Sequence, residues 1–269
     1  MRGASAESLE TLAGSLGAAV SGGADGTTVG EELFSVASLL HGEAGLRRVL
    51  TDLSKAAEAK AELARGLLTG KVSQPTLDLV ATAASLRWAG TRDLPEALEQ
   101  LGVVAIVRGA EVAGQADRLE DELFGFTRLV AENPSLRDAL ADPNRSTADK
   151  RDLLHGLLAD KISSQTMHLV DQALASSYRS AQVAVEQYQR VAAAHRDRLV
   201  AEVRVARPLG DDDRRRLEAA LTAQYGRQVK LNMIVDPGVV GGLRVAVGDD
   251  VIDGTVASRL DDARRKLAG

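Results

Sequence analysis

An internal repeat constrains this chain more than any other feature. Shifted against itself by 90 positions, the sequence aligns residues 31–80 with 121–170 without a gap, and 18 of those 50 pairs are identical. Chance gives about three or four for average residue usage. Glu32, Leu33 and Phe34 match Glu122, Leu123 and Phe124; Gly66, Leu67 and Leu68 match Gly156, Leu157 and Leu158; Thr76, Leu79 and Val80 match Thr166, Leu169 and Val170. An ungapped match of this length preserves every helix and turn length, so a whole folded unit was copied. Solenoid repeats run about 20 to 50 residues, and this period is far longer, which makes each copy a small domain.

Within each copy the apolar spacing is helical. Leu33, Val36, Leu39 and Leu40 share one face in the first copy, as do Leu123, Phe126, Leu129 and Val130 in the second. Asp142, Pro143 and Asn144 predict a break, and Ser146 with Asp149 three residues on predicts a capping box that restarts a helix through Leu153, Leu154, Leu157 and Leu158. Leu9, Leu12 and Leu16 match Leu98, Leu101 and Ala105 at an offset one residue shorter, adding an opening helix to each copy. The expectation is two tandem bundles of about six helices, packed antiparallel on short loops.

After residue 195 the period changes. Residues 199–205 alternate apolar and polar side chains, as a half-buried strand does, and 229–235 and 243–247 read as further strands. Between the first two, Asp211, Asp212 and Asp213 suit a helix N-terminus leading through Leu217, Leu221 and Tyr225. Asp236, Pro237 and Gly238 with Gly241 and Gly242 are turn or bulge chemistry, and 248–250 reads as the next turn. A last helix is expected from near Thr255. The fold class is therefore mainly α with a small mixed-sheet α/β part, divided as 1–95, 96–196 and 197–269.

Composition removes several functions. The 269 residues carry a net charge of −5 and no long basic stretch, so nucleic acid is not an expected partner. There is no cysteine, hence no disulfide or thiolate chemistry. The longest central apolar run, 103–107, is far short of the roughly 18 to 20 residues that span a bilayer, and the N-terminal segment has no signal-peptide pattern. The expectation is a cytoplasmic protein that reaches a membrane only through partners. Aromatic residues make up only 3%, so the cores must be built from small aliphatic side chains.

No reaction site assembles from the sequence. His41, His155, His168 and His195 lack the paired spacing of a metal helix, and His155 and His168 occupy positions where the first copy has Arg65 and Asp78, which suits solvated faces. The acidic run 211–213 lacks the glycine and distal glutamate of a calcium loop. Gly238, Gly241 and Gly242 lead into a strand and lack a P-loop ending, which argues against a phosphate cradle. Trp88, Tyr178 and Tyr188 read as core or rim residues. No catalytic residue, metal or cofactor is expected.

Residues 235–255, with Asp236, Pro237, Gly238, Gly241, Gly242, Asp249, Asp250, Asp253, Gly254 and Thr255, followed by Arg259, Leu260 and the Arg265-Lys266-Leu267 ending, closely resemble the signature of the delta subunit of F-type ATP synthases, the oligomycin-sensitivity-conferring protein family. Upstream, Asn133 through Arg137, Leu140, Asp142, Pro143 and 150–158 look like that family's bundle domain, so the resemblance covers about 96–269. Residues 1–95 depart from it, since the usual member has one bundle. Pro134 and Pro143, which the first copy replaces with Ala44 and Leu53, place the family role on the second copy. The duplication, with arginine exceeding lysine, resembles the actinobacterial form.

The resemblance implies a non-catalytic stator subunit, one copy per complex, on the cytoplasmic face of the bacterial plasma membrane. In the family the bundle receives N-terminal helices of the alpha subunits through its first and fifth helices, and the C-terminal domain grips the b subunit of the peripheral stalk. Carried here, the head groove lies on about 97–112 and 164–176, with Ile106, Val107, Met167 and Val170 as candidate linings. The same four positions also fit a core. The stalk contact lies in 235–267, with the stripe Val256, Leu260, Ala263 and Leu267 packing on its own sheet or on the partner. The extra copy is expected to brace a neighbouring stalk subunit.

Overall fold

The computed structural model describes residues 1–176, 178–195, 198–226, 228–239, 241–247 and 250–254. The chain divides into two compact units, Met1–Ala192 and Ala193–Gly269. The expected last helix, and with it Val256, Leu260, Ala263 and Leu267, lies outside the described residues.

The first unit holds α1 (Ala4–Ser21), α2 (Gly26–Gly42), α3 (Ala44–Thr51), α4 (Ala57–Leu68), α5 (Gln74–Ser85), α6 (Asp93–Val112), α7 (Ala116–Glu132), α8 (Pro134–Ala141), α9 (Thr147–Leu158), α10 (Ser164–Ala175) and α11 (Ala181–His195), the last running three residues past the boundary. The break at Asp142 falls between α8 and α9 as expected, and α9 opens on the capping box: Ser146 Oγ accepts from Asp149 N while the Asp149 carboxylate accepts from Ser146 N. Ala56 stands at the matched position before α4 and makes no side-chain cap.

Residues 1–95 hold five complete helices, where about six were expected. The next helix, α6, begins just before the second copy and packs on both sides of the repeat boundary, against α1, α2 and α5 as well as α7 and α10. Its Leu98, Leu101, Val103, Val104, Ala105, Ile106 and Val107 are all buried. A helix apolar all round must lie in an interior, and one continuous hydrophobic cluster runs from Leu12 through Ala192. The two copies share one core.

The most extensive helix pair is α2 with α6. Gly26 and Gly30 of α2 face Gly102 and Gly109 of α6, and a Cβ on Gly30 would come within 2.6 Å of Ile106 Cγ1 and 2.8 Å of the Gly102 carbonyl oxygen. Missing Cβ atoms let the two backbones approach. Phe34 lies over Gly102 and stacks on Tyr188, with ring centroids 6.5 Å apart. The Tyr188 hydroxyl donates to Glu99 Oε1 at 2.7 Å. Burial and the adjacent Glu99 push the phenol far above its ordinary range. Trp88 is also interior, its indole N–H donating to the Ala83 carbonyl at 2.9 Å.

The second unit contains β1 (Arg198–Val205), α12 (Asp211–Tyr225), β2 (Gln228–Val235), β3 (Leu243–Val247) and β4 (Asp250–Asp253). Strand order is β2-β1-β3-β4, with β1 parallel to β2 and antiparallel to β3. The parallel pair requires a crossover, which α12 supplies. Alternate residues Ala201, Val203, Val205, Val229, Leu231, Val245 and Val247 are buried with Leu221 of α12. The acidic first turn of α12 complements the helix N-terminus, and Gly226 closes it at φ 66°. Strand β4 is an addition to the sequence expectation: Asp250 pairs with Val247, and Val251 and Ile252 continue the ladder against Ala246 and Val245. A four-residue edge strand flanked by aspartates carries too short an alternation to be read as one.

Candidate helix-docking surfaces

Each copy ties its second helix to the start of its fifth in the same way. Ser73, before α5, donates its backbone N–H to Glu32 Oε1 at 2.8 Å and its hydroxyl to Glu32 Oε2 at 2.6 Å. Ser163, before α10, gives both to Glu122 Oε2 at 2.8 and 2.7 Å, and the Thr166 hydroxyl adds a third at 2.6 Å. Burial draws the Glu122 carboxyl up, but the hydrogen bonds from Thr166 and Ser163, with that from Arg118, outweigh it and hold the group below its ordinary value. A carboxylate so stabilised is a poor general base. The Glu-Ser-Thr set is a clamp on the fifth helix and not a nucleophile with its base.

His155 is exposed and His168 half-buried, and each of the two pairs with a carboxylate. His155 Nε2 lies 2.9 Å from Asp171 Oδ2, and Arg151 reaches the same carboxylate at 3.5 Å. His168 on α10 pairs with Glu31 on α2. Among the described residues no three His, Asp or Glu side chains converge to hold a metal, and no helix is long and apolar enough to cross a membrane.

The four expected groove residues are interior. Ile106 and Val107 on α6 are 0% and 1% exposed, and Met167 and Val170 on α10 are 8% and 0% exposed. Ile106 is met from outside by Gly30 of α2. The face shared by α6 and α10 thus has a helix of the first copy lying along it. Beside that helix runs a crease of about 480 Å³ lined by Glu31, Phe34, Ser35 and Ser38 of α2, Arg151 of α9, and His168, Asp171, Gln172 and Ala175 of α10.

A second groove, about 450 Å³, opens between the first and fifth helices of the first copy. Ser15 and Ala19 of α1 form one wall, and Gln74, Pro75, Asp78, Leu79 and Thr82 of α5 the other. Sequence reasoning missed it. The available signal was the change of charge between the copies, Asp78 standing where the second has His168.

These features define a class: a duplicated helical repeat with two described creases between its helices, followed in the chain by an α/β unit. Within that class the family is specific. The profile of the ATP synthase delta (OSCP) subunit matches residues 103–267. An ATP synthase subunit delta of Nocardioides sp. is 54% identical over 100% of this chain and 98% of its own length. That of Kineococcus radiotolerans is 50% identical over 92% and 90%, and that of Streptomyces coelicolor 46% over 100% and 98%. The chain belongs to the ATP synthase delta (OSCP) subunit family, and these relatives span its first copy as well as the part the profile covers. A chain of the Toxoplasma gondii mitochondrial ATP synthase hexamer aligns with TM-score 0.37 and 23% identity over 62% of this chain and 95% of that one, which adds nothing to the assignment.

Proposed function

We propose that this chain is a stator subunit that ties the catalytic alpha/beta head of a proton-translocating ATP synthase to its membrane-anchored b subunit, and that it resists rotor torque without catalysing a step. The observation that carries the reading is 54% identity to an ATP synthase subunit delta along the whole chain. The requirement is affinity and stiffness. Helix-in-groove docking supplies both, because an apolar stripe at i, i+3, i+4 and i+7 resists displacement in a way a tether does not.

The head contact is assigned to the helical unit, through N-terminal helices of alpha subunits, and the stalk contact to the α/β unit, with Val256, Leu260, Ala263 and Leu267 as the candidate stripe toward b. Ile106, Val107, Met167 and Val170 serve as the buried backing of α6 and α10. The repeat is read as two six-helix bundles that share α6, with boundaries near 95 and 196. The chain sits on the cytoplasmic face of the plasma membrane through its partners, one copy per complex.

The test is reconstitution. Vesicles holding the synthase depleted of this chain should lose proton-driven ATP synthesis and regain it on adding the purified chain, and tagged chain should retain alpha and b subunits. Undiminished synthesis without the chain, or a pull-down free of alpha and b, overturns the proposal.

A further inference from the structure

Arg108 of α6 reaches α1 and lays its guanidinium on the backbone of Gly17: a Cβ built on that glycine would come 2.9 Å from Nη1 and 3.0 Å from both Cζ and Nη2. Near-equal distances to three atoms mean that the planar group lies face-on to the glycine. The side chain is half-buried and its Nε is out of contact with solvent, yet among the described residues it makes no hydrogen bond and no ion pair. Neither Arg108 nor Gly17 lines the groove between α1 and α5.

Both sides of this contact cost stability. Gly17 stands inside α1, where alanine would favour the helix. A guanidinium carries five N–H donors, and one drawn partly out of water without an acceptor is unfavourable. Burial of the aliphatic stem accounts for a side chain lying along the seam between α1 and α6, but not for a charged head held against backbone with its donors unmet. The missing component is an acceptor. A planar fork with a single positive charge matches one carboxylate, whose two oxygens take two parallel hydrogen bonds. A phosphate monoester, at about −1.5 to −2, leaves charge uncompensated beside one guanidinium. The approach is open: Gly14 and Ser21, a turn to either side of Gly17, are exposed, and a Cβ on Gly14 would meet nothing within 4 Å.

We propose that Arg108 is the receptor for a carboxylate, an Asp or Glu side chain of a neighbouring synthase subunit that it meets at the seam between α1 and α6. The inference rests on the reading of this protein as a docking subunit and adds a charge-pairing site to it.

The experiment uses the full chain in the reconstituted synthase. Arg108→Lys puts an amine at the seam, and a water-soluble carbodiimide couples an amine to a carboxylate in contact with it, forming an amide while the reagent takes up the water released. Mass spectrometry should find a cross-link between position 108 and an Asp or Glu of another subunit, and none there in wild type, whose guanidinium does not couple. Phenylglyoxal should modify Arg108 of the wild-type chain about fivefold more slowly in the assembled synthase than in the free chain. Arg108→Gln should be retained by the complex about tenfold less tightly. Gly17→Ala pushes only the far end of a flexible side chain, so it should fold and weaken retention in the same direction. A cross-link to an acid of this same chain, no cross-link, or retention indifferent to Arg108→Gln overturns the proposal. Protection of the free chain by inorganic phosphate with no cross-link in the complex also overturns it, and makes the ligand a phosphate. If the wild-type chain fails to join the synthase, the stator reading falls and this inference with it. If it joins and Arg108 stays as reactive as in the free chain, only this inference falls.

Discussion

The Ser163 hydroxyl donates to Glu122 Oε2 at 2.7 Å, and the Ser73 hydroxyl donates to Glu32 Oε2 at 2.6 Å across the same 41-residue separation. The three residue types of this clamp, Glu, Ser and Thr, are identical in both copies, so the duplication preserved a tertiary contact and not merely a helical pattern. What the contact holds is the N-terminus of the fifth helix, and with it the angle at which that helix meets its neighbours. In the second copy Thr166 also reaches the carboxylate directly. In the first, Thr76 stops at the serine hydroxyl, 3.2 Å away.

Glu122→Ala leaves the Ser163 N–H and the Thr166 hydroxyl without their acceptor and should destabilise the helical unit by about 2 kcal/mol. Because the folded carboxyl is held below its ordinary 4.5, its ionised form contributes stability above that value. That contribution is lost as pH falls through the depressed folded value. Chemical denaturation of wild type and Glu122→Gln from pH 7 to pH 3 should therefore show a gap that narrows only on the acid side. A gap that stays constant across that range counts against the charge being what matters.

The capping difference between the copies predicts a gain of stability. Ser146→Ala removes a capping box and should cost about 1 kcal/mol. The first copy lacks the box at Ala56 and Ala59, both exposed. Ala56→Ser with Ala59→Asp should recover a similar amount at α4, read as a higher Tm.

Val170→Asp should unfold the helical unit and not selectively abolish docking. Val170 is fully buried on α10, and an unpaired carboxylate there carries a desolvation cost of several kcal/mol. Circular dichroism should show lost cooperativity before any binding is measured. Asp78→Lys is the informative surface substitution, since it alters charge on an exposed position.

Most of the architecture was legible because period and turn chemistry are local. The capping box at Ser146, the break at Asp142 and the strand through Ala201 and Val203 follow from spacing alone. The role of α6 was not legible. A helix with Val103, Val104, Ala105, Ile106 and Val107 in succession announces burial but not by which neighbours, and here both copies bury it. The same ambiguity governed Ile106, Val107, Met167 and Val170. Helical periodicity gives a groove wall and an interior the same sequence, and only packing separates them. Charge, by contrast, is informative at a surface, which is why the Asp78 and His168 difference marks the open groove better than any apolar position does.

Glycine provides the sharpest test of the shared core, because its effect should change sign with location. Gly26→Ala would drive a methyl into the Ala105 carbonyl, and Gly30→Ala into Gly102 and Ile106. Backbone cannot swing aside as a flexible side chain does, so each should cost about 1 to 3 kcal/mol by forcing α2 away from α6. Gly66 and Gly156, matched positions on α4 and α9, have nothing within 4 Å of a built Cβ. Replacing either with Ala removes only the entropic cost of an exposed helical glycine and should stabilise by about 0.5 to 1 kcal/mol. If Gly26→Ala and Gly30→Ala proved neutral while Gly66→Ala and Gly156→Ala stabilised, the close approach of α2 to α6 would be wrong. With it would fall the account of why the second copy's α6 and α10 face already has a helix beside it.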